Sequence, residues 1–175
     1  MKIIDLTLPL YTGMPVFPGD PEVSIELVAT IEKDGWNMRR MQVNTHDATH
    51  MNVPIHMVVG GKNLDDYPLE KFCGPAKIYN PGIPMESSFG YIFRDRNIDT
   101  VIAEEVKKIK PRVVGSSSEY EWGIEIEKDL LTAGIIQYER LANTDELPES
   151  FFFYGMPLKI KEGDGSPVRA FAVVD

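Results

Sequence analysis

The chain of 175 residues carries 18 Lys and Arg against 27 Asp and Glu, a formal net charge of −9. That length suits one domain over residues 1–175, and the acidic balance argues against nucleic acid or an anionic membrane as the main partner. The lone cysteine, Cys73, excludes an internal disulfide and a Cys-based metal knuckle. No apolar run nears the ~20 residues of a membrane span, and the opening residues lack the apolar stretch of a signal peptide, so a cytoplasmic setting is expected.

In chain order, Ile3, Ile4 and Leu6 suit a short strand. Pro15, Pro18, Gly19, Asp20 and Pro21 then form a rigid turn. Residues 22–30 alternate, with Val23, Ile25 and Leu27 on one side, and predict a half-buried strand. A second alternating run, Met41, Val43 and Thr45, leads into His46. Asp99 is placed to cap a helix that carries Val101, Ile102, Val106 and Ile109 and stops at Pro111. Val113 and Val114 predict a short buried strand. Residues 124–133 read as a helix closed by Gly134. Ile135, Ile136 and Tyr138 predict a strand ending at Glu139. Two more strands, 151–160 and 168–174, are joined by the turn-rich EGDGSP. The order predicts an α/β fold, a mixed sheet with packed helices.

All three histidines of the chain, His46, His50 and His56, fall within the eleven residues HDATHMNVPIH. Pro54 disfavours a helix there, and a loop can fold several imidazoles onto one point. Neutral imidazole is the commonest side-chain ligand for zinc and related ions, so the cluster predicts a metal site. Carboxylates usually complete such a site, and Glu139, at the end of an apolar strand, can point into a cleft. Cys73 has no adjacent histidine and reads as a structural thiol. The run 116–118 lacks the pattern of a nucleophilic serine.

HDATHMNVPIH resembles the signature of the cyclase family, metal-dependent hydrolases that include bacterial kynurenine formamidase. The family pattern is His-x-Gly-Thr-His-x-Asp-x-Pro-x-His, and His46, Thr49, His50, Pro54 and His56 match it in register. IIDLTLPLYTGMPVFPGDP, DLLTAGIIQYERLANTDELP and GDGSPVRAFAV are similar to its opening, later and closing segments. The resemblance implies a swivelling β/β/α fold, a homodimer or homotetramer, and one or two divalent ions, zinc above all. It implies that His46, His50 and Glu139 serve the metal, that His56 is the catalytic acid/base, and that Phe17 lines a pocket for a small-molecule substrate.

Three positions depart from the family pattern. Ala48 replaces its Gly, which matters if the position needs a positive φ. Asn52 replaces an Asp ligand, and Glu127, twelve residues before Glu139, stands where the family usually has His. If both bind, the total ligand charge is unchanged, and a harder ion such as manganese is favoured. The resemblance thus implies amide or ester hydrolysis of the arylformamidase kind. Two alternatives stay open: a small-molecule binder or oligomeric scaffold with a degenerate site, and a lyase or isomerase using the same metal.

Overall fold

The structure, a computed structural model, describes residues 1–174. Its eleven strands are β1 (Lys2–Asp5), β2 (Ser24–Ala29), β3 (Met38–Gln42), β4 (His50–Asn52), β5 (Cys73–Ile78), β6 (Gly90–Phe93), β7 (Val114–Ser117), β8 (Gln137–Leu141), β9 (Ser150–Tyr154), β10 (Gly165–Pro167) and β11 (Phe171–Val174). The helices are α1 (Ile31–Asp34), α2 (Thr100–Ile109) and α3 (Ile124–Thr132). Nine strands form one sheet in the order β1-β11-β9-β5-β6-β7-β8-β4-β10, and β2 pairs with β3 in a separate hairpin. The pairs β5–β6, β6–β7 and β7–β8 are parallel. The flanking pairs are antiparallel, so the sheet is mixed, as its sequence pattern predicts.

The sheet curls because its two ends share one core. Ile4 of β1, Met51 of β4, Tyr138 of β8 and Phe153 of β9 all belong to a single buried cluster. The backbone beyond β1 closes the curl. Leu6 N–H donates to Ala170 (2.9 Å) and its carbonyl accepts from Ala142 (3.0 Å). Leu8 N–H then donates to Thr49 Oγ1 at 2.9 Å. A second buried cluster, with Phe93, Val106, Trp122 and Leu130, lies between the other face and helices α2 and α3.

Helix α2 starts where its cap predicts: the Asp99 carboxylate accepts from Ile102 N–H at 2.8 Å. Its buried stripe is Ala103 and Val106, and Val101 faces solvent. The hairpin differs from its sequence pattern. Leu27, Val28, Met38 and Met41 are exposed, because the two strands pair only with each other and no layer covers them. The run through Thr45 stops at Gln42, so His46 sits in a turn.

Candidate metal centre

Side-chain alternation on β4 builds the site. His50 and Asn52 point to one face and Met51 to the other, where it is fully buried in the core. Across the ladder His50 pairs with Glu139 and Asn52 with Gln137, so those side chains share the same face. Glu127 arrives from α3, held by Gln137 Nε2, which donates to the Glu127 carbonyl at 2.8 Å. His56 ends a one-turn 3-10 helix, Pro54–His56, that directly follows β4.

Asn52 is the hub. Its Nδ2 donates to Glu127 Oε1 (2.9 Å) and to Glu139 Oε1 (2.6 Å). Its Oδ1 lies 2.8 Å from His46 Nδ1. His46 Nε2 lies 3.0 Å from Asp164 Oδ2. The His56 ring stands against His46, with centroids 3.8 Å apart. Its Nε2 is 3.6 Å from Glu127 Oε1, and its Nδ1 is 3.7 Å from Asp164 Oδ2. His50 donates from Nδ1 to the Ala48 carbonyl at 2.9 Å, which leaves its Nε2 lone pair free.

Burial sets the protonation of these groups. It drives His50 down to about 3, against the hydrogen bond to Ala48, so His50 is a neutral imidazole at any ordinary pH. Burial also raises both glutamates, and repulsion from Glu127 helps push Glu139 up to about 8. Glu139 therefore keeps its proton at neutral pH in the ion-free chain. His56 is held below the usual histidine range by burial and by His46, with Asp164 and Asp20 opposing.

All six residues singled out with the histidine motif, His46, His50, His56, Asn52, Glu127 and Glu139, thus meet in one place. Phe17 lies on an exposed turn, 64% accessible, closed by a 3.0 Å bond from Asp20 N–H to its carbonyl, and Asp20 of that turn is near enough to His56 to act on its charge. Asp164 went unnoticed in the sequence, where GDGSP reads only as a turn. In the structure Gly165–Pro167 pairs with β4, and Val53 N–H donates to the Asp164 carbonyl at 3.1 Å. Gly165 permits the approach, since a Cβ there would lie 2.6 Å from His46 Cε1. His46, His56 and Asp164 offer ligand atoms all within 4.8 Å of one another. Two imidazoles and a carboxylate are a donor set suited to zinc or a neighbouring divalent ion, so the residues present fit a metal.

Ala48 does adopt the left-handed conformation, with φ of 51°. The strain costs ~1–2 kcal/mol. Against it, the buried methyl contributes ~0.8 kcal/mol, and Gly would add ~0.5–1 kcal/mol of unfolded-state entropy. The terms nearly cancel. Ala48→Gly should therefore shift unfolding free energy by less than ~1 kcal/mol in a urea titration, and a larger shift would mean the loop is held differently.

The fold and this cluster define a curled mixed-sheet protein with a partly buried histidine–carboxylate centre. The family model described as putative cyclase matches residues 4–114, and the chain belongs to that family. It is 30% identical to the uncharacterised protein MJ0783 of Methanocaldococcus jannaschii, over 99% of this chain and 100% of that one. It is 26% identical to a kynurenine formamidase of Salinibacter ruber, over 97% and 96% of the two chains. Its fold is similar to that of isatin hydrolase A from Ralstonia solanacearum, with a TM-score of 0.81, 19% identity, and coverage of 99% and 92%.

Proposed function

We propose that the chain is a metal-dependent hydrolase of an amide or ester bond, resembling an arylformamidase. One observation carries the reading: three histidines and three carboxylates converge around Asn52 in a family whose relatives include kynurenine formamidases. The ion, zinc or else manganese, would be held by the histidines and carboxylates of this cluster, and it supplies Lewis acidity toward a carbonyl oxygen and an acidified water. The rest is the chain's own work. His56, beside the Glu127–Glu139 pair, is the acid/base that passes a proton to the leaving amine. The Nε2 of His56 faces that pair and links it to the open side, and Asn52 holds both carboxylates in place. The test is hydrolysis of an aryl formamide by protein purified without chelators. Activity lost on EDTA treatment and restored by zinc or manganese is expected, and rates equal in stripped and loaded protein would overturn the reading.

A second reading, a small-molecule binder with a weakened site, draws on the Asn52 amide, whose two N–H groups satisfy Glu127 and Glu139 without an ion. Metal-loaded protein inert toward formamides and esters would favour it.

We also propose a homo-oligomer. A compact monomer of this mass has an accessible surface of about 8,600 Å², and this chain has 9872 Å². The excess is comparable to the ~800 Å² that one partner gives to a stable interface. It includes an apolar arm, with Leu27, Ile31 and Trp36 exposed, and a sheet face where Phe152 stands out while Phe151 and Phe153 are buried. Sedimentation should give a multiple of 19.7 kDa, and a monomer across a wide concentration range would reject the assembly.

A further inference from the structure

Among the described residues, five other than glycine hold a left-handed backbone, and Arg140, with φ of 58°, is the one of them inside a strand. Strand β8 is bulged there. Tyr138 stands opposite Gly115 and Leu141 opposite Ser117, so Glu139 and Arg140 together face the single residue Ser116. Tyr138 and Leu141 are both fully buried in the core. The two residues between them therefore lie on the other face, the one that carries His50 and Asn52. Thr49 Oγ1 donates to the Arg140 carbonyl at 2.6 Å and pins the bulge to the histidine motif. Glycine would take this backbone without strain. An arginine holds it at a cost, and such strain collects at binding and catalytic sites.

Of the seven arginines, Arg94, Arg96 and Arg169 pair with carboxylates, and Arg112 donates to the Glu70 and Cys73 carbonyls. Arg39 and Arg40 stand exposed on the hairpin. Arg140 is half-buried, and among the described residues no carboxylate lies within 4.0 Å of its guanidinium. Its positive charge bears on the buried His50, across the β4–β8 ladder. Resting on the hydrolase reading, we propose that Arg140 is a substrate-binding residue that holds a carboxylate, and that the chain acts on amides or esters bearing such a group in preference to uncharged ones. The guanidinium fork matches a carboxylate through two parallel hydrogen bonds. In a site that already holds Glu127 and Asp164, an anionic substrate needs a fixed cation to offset their repulsion. The rival account is a surface arginine whose charge is simply hydrated.

Binding of 3-phenylpropanoate and of its uncharged amide to the chelator-stripped chain, followed by ligand-observed NMR, tests this without turnover. Wild type should hold the anion about tenfold to a hundredfold more tightly, the range of a charge-assisted pair. Arg140→Gln should erase that preference. Arg140→Asn, which suits the left-handed backbone, should erase it too and serves should the Gln variant not fold by circular dichroism. On the zinc-loaded enzyme the same variants should lower kcat/KM for 3-(2-formamidophenyl)propanoate, relative to 3-(2-formamidophenyl)propanamide, at least about tenfold and mainly through KM. A wild type without the preference, or folded variants that keep it within about twofold, would overturn the carboxylate seat and leave the hydrolase reading intact. A loaded wild type that binds the anion through Arg140 and hydrolyses neither formamide would overturn the hydrolase reading and leave the seat standing.

Discussion

Replacing His46 by Ala should remove ion binding and lower kcat/KM on an aryl formamide by about a thousandfold or more. The Lewis acidity of a bound ion is worth several kcal/mol of transition-state stabilisation, and each 1.36 kcal/mol is about a factor of ten. His46 is within hydrogen-bond distance of both halves of the site: Asn52 on one nitrogen, Asp164 on the other, with the face of His56 alongside. Its loss leaves Asp164 and the Asn52 oxygen without their partner, so His56 is also released from its packing. The fold should survive, because His46 belongs to none of the buried apolar clusters. Steady-state kinetics with zinc titration and a thermal melt check all three statements together. Activity within tenfold of wild type in a folded variant would place the chemistry elsewhere.

The second large effect concerns the stability of the metal-free protein against pH. His50 titrates near 3 in the folded chain and near 6.5 when unfolded. Between those values the unfolded chain binds a proton that the folded chain refuses, so stability falls as the pH drops, by about 5 kcal/mol over the whole window. Glu139 acts in the opposite sense. The folded chain keeps its proton up to about 8, and the unfolded chain loses it near 4.5. Stability therefore also falls as the pH rises from 4.5 through 8. The two together predict a maximum between about pH 4.5 and 6.5 for the stripped protein. Urea unfolding from pH 3.5 to 8.5 should trace that bell. Glu139→Gln should flatten its alkaline side and His50→Asn its acid side. A flat profile in the wild type would mean that neither group is held as the structure holds it.

Much of this was written locally. The caps at Asp99 and Gly134, the strand around Val114 and the alternation at Phe151, Phe152 and Phe153 depend on neighbours a few residues apart, and there the pattern and the structure agree. The histidines lie within one short segment broken by Pro54, so their meeting needed little from the rest of the fold. The hairpin misled because alternation reports amphipathic character and not which layer will cover it. Leu27 and Met41 have the period of a buried face and nothing to bury it against within one chain.

What the sequence by itself determined was the mixed α/β order and the chemistry of the centre: imidazoles, an amide where the family pattern has a carboxylate, and glutamates on a helix and a strand. The tertiary structure alone decided how these groups pair. Asn52 and Glu127 are 75 residues apart, and His46 and Asp164 are 118 apart. Their contacts arise because β4 lies between β8 and β10, and because residue 165 is a glycine that lets the Asp164 backbone close on His46. Local periodicity carries the face of a strand but not the identity of its neighbour. That neighbour is set by burying one core shared by β1, β4, β8 and β9, a contest among distant segments that no short window of sequence contains.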